Sequence, residues 1–174
     1  MAAVMTAYLR DFPDASKWAA NIMEGELFPV EVRMAHGFER DGVFLEYPDD
    51  WTLEEDTVEN GWAVSLNSTS TPYLVLSYRD DVDDPMEMAD AVLEGLRESF
   101  ETLEADEAVE TVGGQPAVGY DVHFFHLDLT NTAWIRALPF GAGSLLILAQ
   151  TCDTELEDFE PLFQEMMAGM RLPD

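Results

Sequence analysis

AVGYDVHFFHLDLTNTAWIRALPFGAGSLLILAQTC, residues 117–152, is the stretch whose reading decides the fold. Gly141-Ala-Gly143 separates two β-rich runs, Thr132 to Phe140 and Ser144 to Cys152, and glycines in such a place read as a hairpin turn. Inside the stretch, VHFFHL and LLILA place bulky residues consecutively rather than alternately. A strand with one wet face alternates, so both runs are expected to be central strands covered on each side. Covering both faces of one sheet needs helices on both, which predicts a three-layer α/β/α sandwich.

The flanking sequence supplies the other parts. Upstream, Glu107 to Val112 turns at Gly113-Gly114 into Ala117 to Leu127. Before it, Asp84 stands as N-cap, Pro85 at the first helical position and Glu87 three residues past the cap. Ala89, Val92, Leu93, Leu96, Phe100 and Leu103 then form one apolar stripe, with Glu87, Asp90, Glu94, Glu98 and Glu101 away from it. Tyr73 to Arg79 (YLVLSYR) reads as a strand, and residues 52 to 58 and 62 to 67 as a hairpin around Asn60-Gly61. Val43 to Tyr47 is a short strand stopped by Pro48 and Asp49-Asp50. Downstream, Thr154-Glu-Leu-Glu157 has the form of a capping box, opening a helix that buries Leu156, Phe159, Leu162, Phe163, Met166 and Met170. The fold class is α+β, with a mostly antiparallel sheet of about seven strands.

Residues 36–174 form the expected domain, and residues 1–35 an N-terminal extension. Asp14 to Glu24 has a short helical stripe of Ala15, Trp18, Ala19, Ile22 and Met23. Two readings of the extension stay open: an added layer, or a start placed too far upstream of Met34.

Charge narrows the function classes. Asp and Glu total 36 against 8 Lys and Arg, a formal net charge of -28. That field repels phosphate backbones and anionic headgroups, so neither nucleic acid nor a membrane surface is an expected partner. Two sources of the acidity stand side by side, a high-salt habitat and an ordinary acidic protein. A high-salt origin predicts a melting temperature that rises from low to molar salt, because the screening length shrinks from about 10 Å at 0.1 M to about 3 Å at 1 M. A flat or falling series sinks that origin.

Cys152 is the single cysteine, so no intramolecular disulfide forms and a reducing compartment is expected. No apolar run approaches the ~20 residues that span a bilayer. The short apolar stretch from Ala2 to Leu9 lacks a basic leader and runs into Arg10 and Asp11, unlike a secretory signal. The expected location is cytoplasmic.

The order β-β-β-α-β-β-β-β-α resembles the PsbP-like superfamily. Gly42-Val-Phe-Leu-Glu-Tyr-Pro-Asp-Asp-Trp51 is similar to that family's opening strand ending in Tyr-Pro-x-x-Trp, and Gly114-Gln-Pro-Ala117 to its mid-domain turn. The resemblance covers residues 40 to 173 and rests on short structural motifs. It implies docking on a larger partner or, as in some secretion-linked bacterial members, chaperoning of apolar client segments. The chain is expected to depart from the exported and lipid-anchored members, since neither an export signal nor a lipid-attachment cysteine is read in this sequence.

Candidate sites are few. His123 and His126 invite a metal reading, but three residues apart on a strand they point to opposite faces. His123 shares its face with Asp121, and His126 with Asp128. The acidic run Asp80, Asp81, Asp83 and Asp84 suggests calcium, yet an EF-hand count from Asp81 puts Met86 and Val92 where Gly and Glu belong. A turn leading into a helix N-terminus accounts for the run equally well. Ser144 lacks the flanking glycine of a nucleophile elbow, and Cys152 has no basic neighbour in sequence to activate it. Met166, Met167 and Met170 offer either an adaptable partner surface or core packing.

The leading expectation is a non-catalytic cytoplasmic interaction domain, adaptor or chaperone-like, that binds a protein partner and no cofactor. The alternative is a metal- or small-ligand-binding protein using His123, His126 or the acidic loop 80–84, with Asp81 and Asp83 as its carboxylates.

Overall fold

The computed structural model describes residues 34–173. The amphipathic segment Asp14 to Glu24 lies outside the described residues.

Among the described residues, nine strands and two helices follow one another. They are β1 (Met34–Arg40), β2 (Val43–Pro48), β3 (Thr52–Val58), β4 (Gly61–Asn67), β5 (Tyr73–Arg79), α1 (Pro85–Ser99), β6 (Leu103–Val112), β7 (Gln115–His126), β8 (Leu129–Phe140), β9 (Gly143–Cys152) and α2 (Leu156–Gly169). Seven strands make one antiparallel sheet in the order β3-β4-β5-β9-β8-β7-β6. The seven strands and two helices run three strands, helix, four strands, helix, as expected, but the expected opening strand Val43 to Tyr47 is not among the seven. The short strand β2 lies apart, paired with β1 in a two-stranded hairpin.

Two separate cores give the three layers. On one face, Met88, Ala89, Val92, Leu93 and Leu96 of α1 pack on Val75, Val122, Ile135, Leu146 and Leu148. On the other, Phe159, Phe163, Met166 and Met167 of α2 join the β1–β2 hairpin over Trp62, Leu66, Leu74, Trp134 and Ile147. The hairpin is tied to the chain end: Phe44 and Arg171 exchange backbone hydrogen bonds of 2.9 Å each way. The Arg171 guanidinium also lies 3.9 Å from the centre of the Phe44 ring. Trp51, directly before β3, stacks on Phe159 at 5.8 Å and anchors this layer.

Local chemistry sets most boundaries. Asp84 caps α1 through its side chain, accepting from the Met86 N–H at 2.9 Å, with Pro85 at the first position. Asn60, at φ 60, makes the β3–β4 turn that its Asn-Gly pair foretells. α1 stops at Ser99, with Phe100 as C-cap, so the stripe read through Leu103 runs too far. Leu103 pairs with Phe124 in β6 instead, because ladder formation along ten residues overrides the local period.

Two further expectations are corrected. No capping box forms at Thr154: Asp153–Glu155 is a 3-10 turn and α2 has no side-chain cap. The Thr154 hydroxyl lies 2.9 Å from the Cys152 sulfur. The VHFFHL run is covered on one face only. Val122 and Phe124 are buried, whereas His123 and Phe125 are exposed, because α2 and the β1–β2 hairpin do not extend over this end of β7. The strand buried on both faces throughout is β9.

Candidate functional site

The uncovered end of β7 is where chemistry-bearing side chains meet solvent. Cross-strand register sets Glu104 of β6 opposite His123 of β7, and Asp106 opposite Asp121. Directly paired residues share a face, so these four side chains form a rectangle on the α2 side of the sheet. His123 Nδ1 lies 3.1 Å from the Thr132 hydroxyl of β8, which orients the ring.

Arg136 of β8 closes one end of the rectangle. It is 4% exposed and lies opposite Gly119 of β7. Its Nε donates to Glu110 Oε2 at 2.8 Å and its Nη2 to Asp121 Oδ1 at 2.6 Å. Nη1 donates to the carbonyls of Tyr120 and Ile135, each at 3.0 Å. Gly119 is obligatory here, since a Cβ at that position would stand 2.0 Å from the Ile135 carbonyl oxygen.

The β7–β8 turn closes the other end. Leu127 and Asp128 hold φ values of 51 and 61, the left-handed region, without a glycine between them. Leu127 is 77% exposed and Phe125 is 56% exposed. A leucine in a backbone conformation it disfavours, displaying its side chain to water, is costly twice over. Sequence reasoning missed this pair because Leu-Asp gives no turn signal.

The residues singled out from sequence are dispersed. His123 and His126 do lie on opposite faces. His126 packs edge-on against Phe100 at 5.2 Å, and burial lowers its pKa from the usual histidine value. Asp81 accepts from Arg79 Nε and Nη2, both at 2.9 Å, and from Asn60 Nδ2 at 3.2 Å. Those bonds, the Arg79 fork first, hold its pKa down at about 2. Asp83 is exposed on the same turn. Among the described residues, no three His, Cys, Asp or Glu side chains are grouped to hold a metal ion. Met166, Met167 and Met170 are buried in the core beneath α2, so they present no adaptable surface to a partner. They are inward because Phe159 and Phe163 share their helical stripe.

Cys152 is buried, but its surroundings are polar. Its sulfur lies 3.2 Å from the Thr71 hydroxyl oxygen and donates toward Glu155 Oε2 at 3.6 Å. Glu155 also takes the hydroxyls of Ser70 and Thr71, clamping the loop before β5 to the end of β9. Elsewhere, Met34, Glu46, Glu165, Met166, Ala168 and Gly169 line a groove of about 300 Å³ between the hairpin and α2.

Asp81 and His126 both contribute to the pH dependence of stability, and with the same sign. Asp81 has a depressed folded-state pKa, so its contribution is present above the ordinary carboxylate range and is lost as pH falls toward about 2. His126, also depressed, begins to destabilise once pH drops below the unfolded histidine value of about 6.5. The expected result is that the stability gap between the parent and Asp81→Asn, read from melting temperatures, narrows as pH falls from neutral toward 2. Carbon-13 NMR should place the Asp81 midpoint near 2, and an ordinary midpoint near 4 counts against the Arg79 fork.

No family model matches the chain, and no curated protein matches it either. Solved structures do. A Bacteroides thetaiotaomicron protein aligns with TM-score 0.51 and 14% identity over 82% of this chain and 50% of its own. This chain therefore spans half the length of that relative. LpqN, involved in cell envelope biogenesis of Mycobacterium tuberculosis, aligns with TM-score 0.47 and 14% identity, covering 77% of this chain and 87% of that one. PA94, a Pseudomonas aeruginosa protein of unknown function, gives 0.48 and 15% over 80% and 96%. What the chain shares with the Bacteroides protein is its fold, an α+β domain with a seven-stranded antiparallel sheet between helices. No helix among the described residues is long and apolar enough to cross a membrane.

Proposed function

We propose that this chain is a PsbP-like, non-catalytic interaction domain that docks a protein partner at the β7–β8 end of its sheet. The PsbP-like assignment draws support from the order of sheet strands and helices and from Trp51, whose ring locks the Tyr-Pro-x-x-Trp segment onto α2. A cytoplasmic setting is part of the proposal, supported by a lone cysteine that is unpaired. The observation that carries docking is the exposed pair Phe125 and Leu127, with Leu127 held at positive φ. Strain and exposed apolar area together are what a binding tip retains and what a purely structural turn loses.

A photo-crosslinking amino acid at position 125, in cells of the source organism, should yield a discrete protein adduct. The same label at Glu94, exposed on α1, should yield none. Adducts at both positions, or at neither, overturn the proposal. Leu127→Gly adds the thermodynamic half of the test. Glycine accepts the left-handed backbone without the roughly 1–2 kcal/mol cost borne by other residues. The variant should therefore keep or raise its melting temperature while losing most of the adduct.

A further inference from the structure

The sheet has two outer strands, and they are not alike. β3 exposes Thr52, Glu54, Glu55 and Thr57, displays no large exposed apolar side chain, and is bridged from the hairpin by Arg40 to Glu55 at 3.2 Å. β6 is longer, ten residues, and nothing pairs with its outer edge among the described residues. Its two faces differ chemically. Glu104, Asp106 and Glu110 lie opposite His123, Asp121 and Ala117, on the α2 side. Ala105, Glu107 and Val109 lie opposite Val122, Tyr120 and Val118, on the α1 side. Val109 is 76% exposed.

Acidic side chains on an edge ordinarily prevent a second copy from pairing with it. At a net charge of -28 that prevention is strong, and like charges set directly opposite would oppose any β6–β6 ladder. A blocked edge has no use for an exposed valine, however, and β3 is blocked without one. Carboxylates that repel a second copy attract a cationic strand, and cross-strand pairing fixes where its cations fall.

We propose that β6 takes an extended basic segment of the partner as an added strand, with Lys or Arg alternating with aliphatic residues. The cations meet Glu104 and Asp106 on one face, beyond the Glu110 carboxylate that Arg136 already neutralises, and the aliphatic side chains meet Ala105 and Val109 on the other. This rests on the docking reading and names the partner's chemistry, since the β6 edge begins beside the Phe125 end of β7, at the Leu103–Phe124 pair.

The test uses the full chain and three synthetic octapeptides with blocked ends. The first alternates Lys and Val, the second has the same composition as a Lys block followed by a Val block, and the third is the alternating peptide N-methylated at every second residue. All carry the same charge, so only strand pairing separates them. Calorimetric titration should give saturable one-to-one binding of the first, weaker by about tenfold or more for the other two, a difference of 1.4 kcal/mol. Amide protection in NMR should appear along Glu104 to Val112 and not along β3. Equal affinity for all three peptides, or shifts scattered over the surface, means attraction to the charge cloud and overturns the β6 assignment. No binding of the alternating peptide overturns it too. Neither result touches the photo-crosslink at position 125, so the two readings fail separately.

Discussion

Phe163→Ala is expected to cost about 3–5 kcal/mol of stability, the range for truncating a fully buried aromatic. Phe163 is 1% exposed and stacks on Trp134 at 5.1 Å. Trp134 in turn lies 6.0 Å from Phe159, which stacks on Trp51 at 5.8 Å. The four rings therefore connect α2, the sheet and the segment after β2 in one cluster. Loss of the ring opposite Trp134 removes dispersion contacts and leaves a cavity that aliphatic neighbours on β9 cannot close without moving a strand buried on both faces. For a chain of this size the melting temperature should fall by roughly 10 °C, on the scale of 2–4 °C per kcal/mol. Chemical denaturation read by Trp fluorescence checks it, and a loss under about 1 kcal/mol would show that the α2 layer is dispensable to the core. Phe163→Leu, which refills much of the volume, should recover a good part of the loss.

The contrast between that cluster and the β7–β8 end explains what the sequence reveals. Phe159 and Phe163 are legible because helical period, a local property, points them inward. Asp84-Pro85 is legible for the same reason: a cap and a first-turn proline need only their immediate neighbours. The seven-stranded count follows from turn residues at Asn60, Gly113 and Gly141, each at positive φ in the structure.

What was illegible depends on distant elements. Whether His123 and Phe125 are covered is decided by how far α2 and the hairpin extend across the sheet, and no residue near position 123 records that. Leu103 fits the stripe of α1 but is claimed by Phe124 across the ladder. The Leu127-Asp128 turn carries none of the glycine or asparagine that announces its neighbours. The Phe125–Leu127 end was hidden because it breaks local rules.

Arg136 is the second position where a large effect is expected, and it too is invisible in sequence, being one cation inside an apolar strand. Arg136→Met should destabilise by about 3 kcal/mol, the lower end for removing one partner of a buried ion pair. The lower end applies because Glu110 and Asp121 keep side-chain exposures of 34% and 43%, so both rehydrate in part once the guanidinium is gone. What remains is two carboxylates on neighbouring strands, beside Asp106 and Glu104, in a chain already at -28. Two carbonyls, of Tyr120 and Ile135, also lose a charged donor. Arg136→Lys should recover less than half, since an ammonium cannot reproduce the planar fork that serves Glu110 and Asp121 at once. Adding Glu110→Gln and Asp121→Asn to Arg136→Met should restore about half of the lost stability by removing the unpaired charges. Molar salt should narrow the gap between Arg136→Met and the parent, because screening weakens the residual repulsion. A loss that is unchanged by salt and unrelieved by the triple substitution would assign Arg136 a packing role through its aliphatic stem, and the electrostatic account of this face would then be wrong.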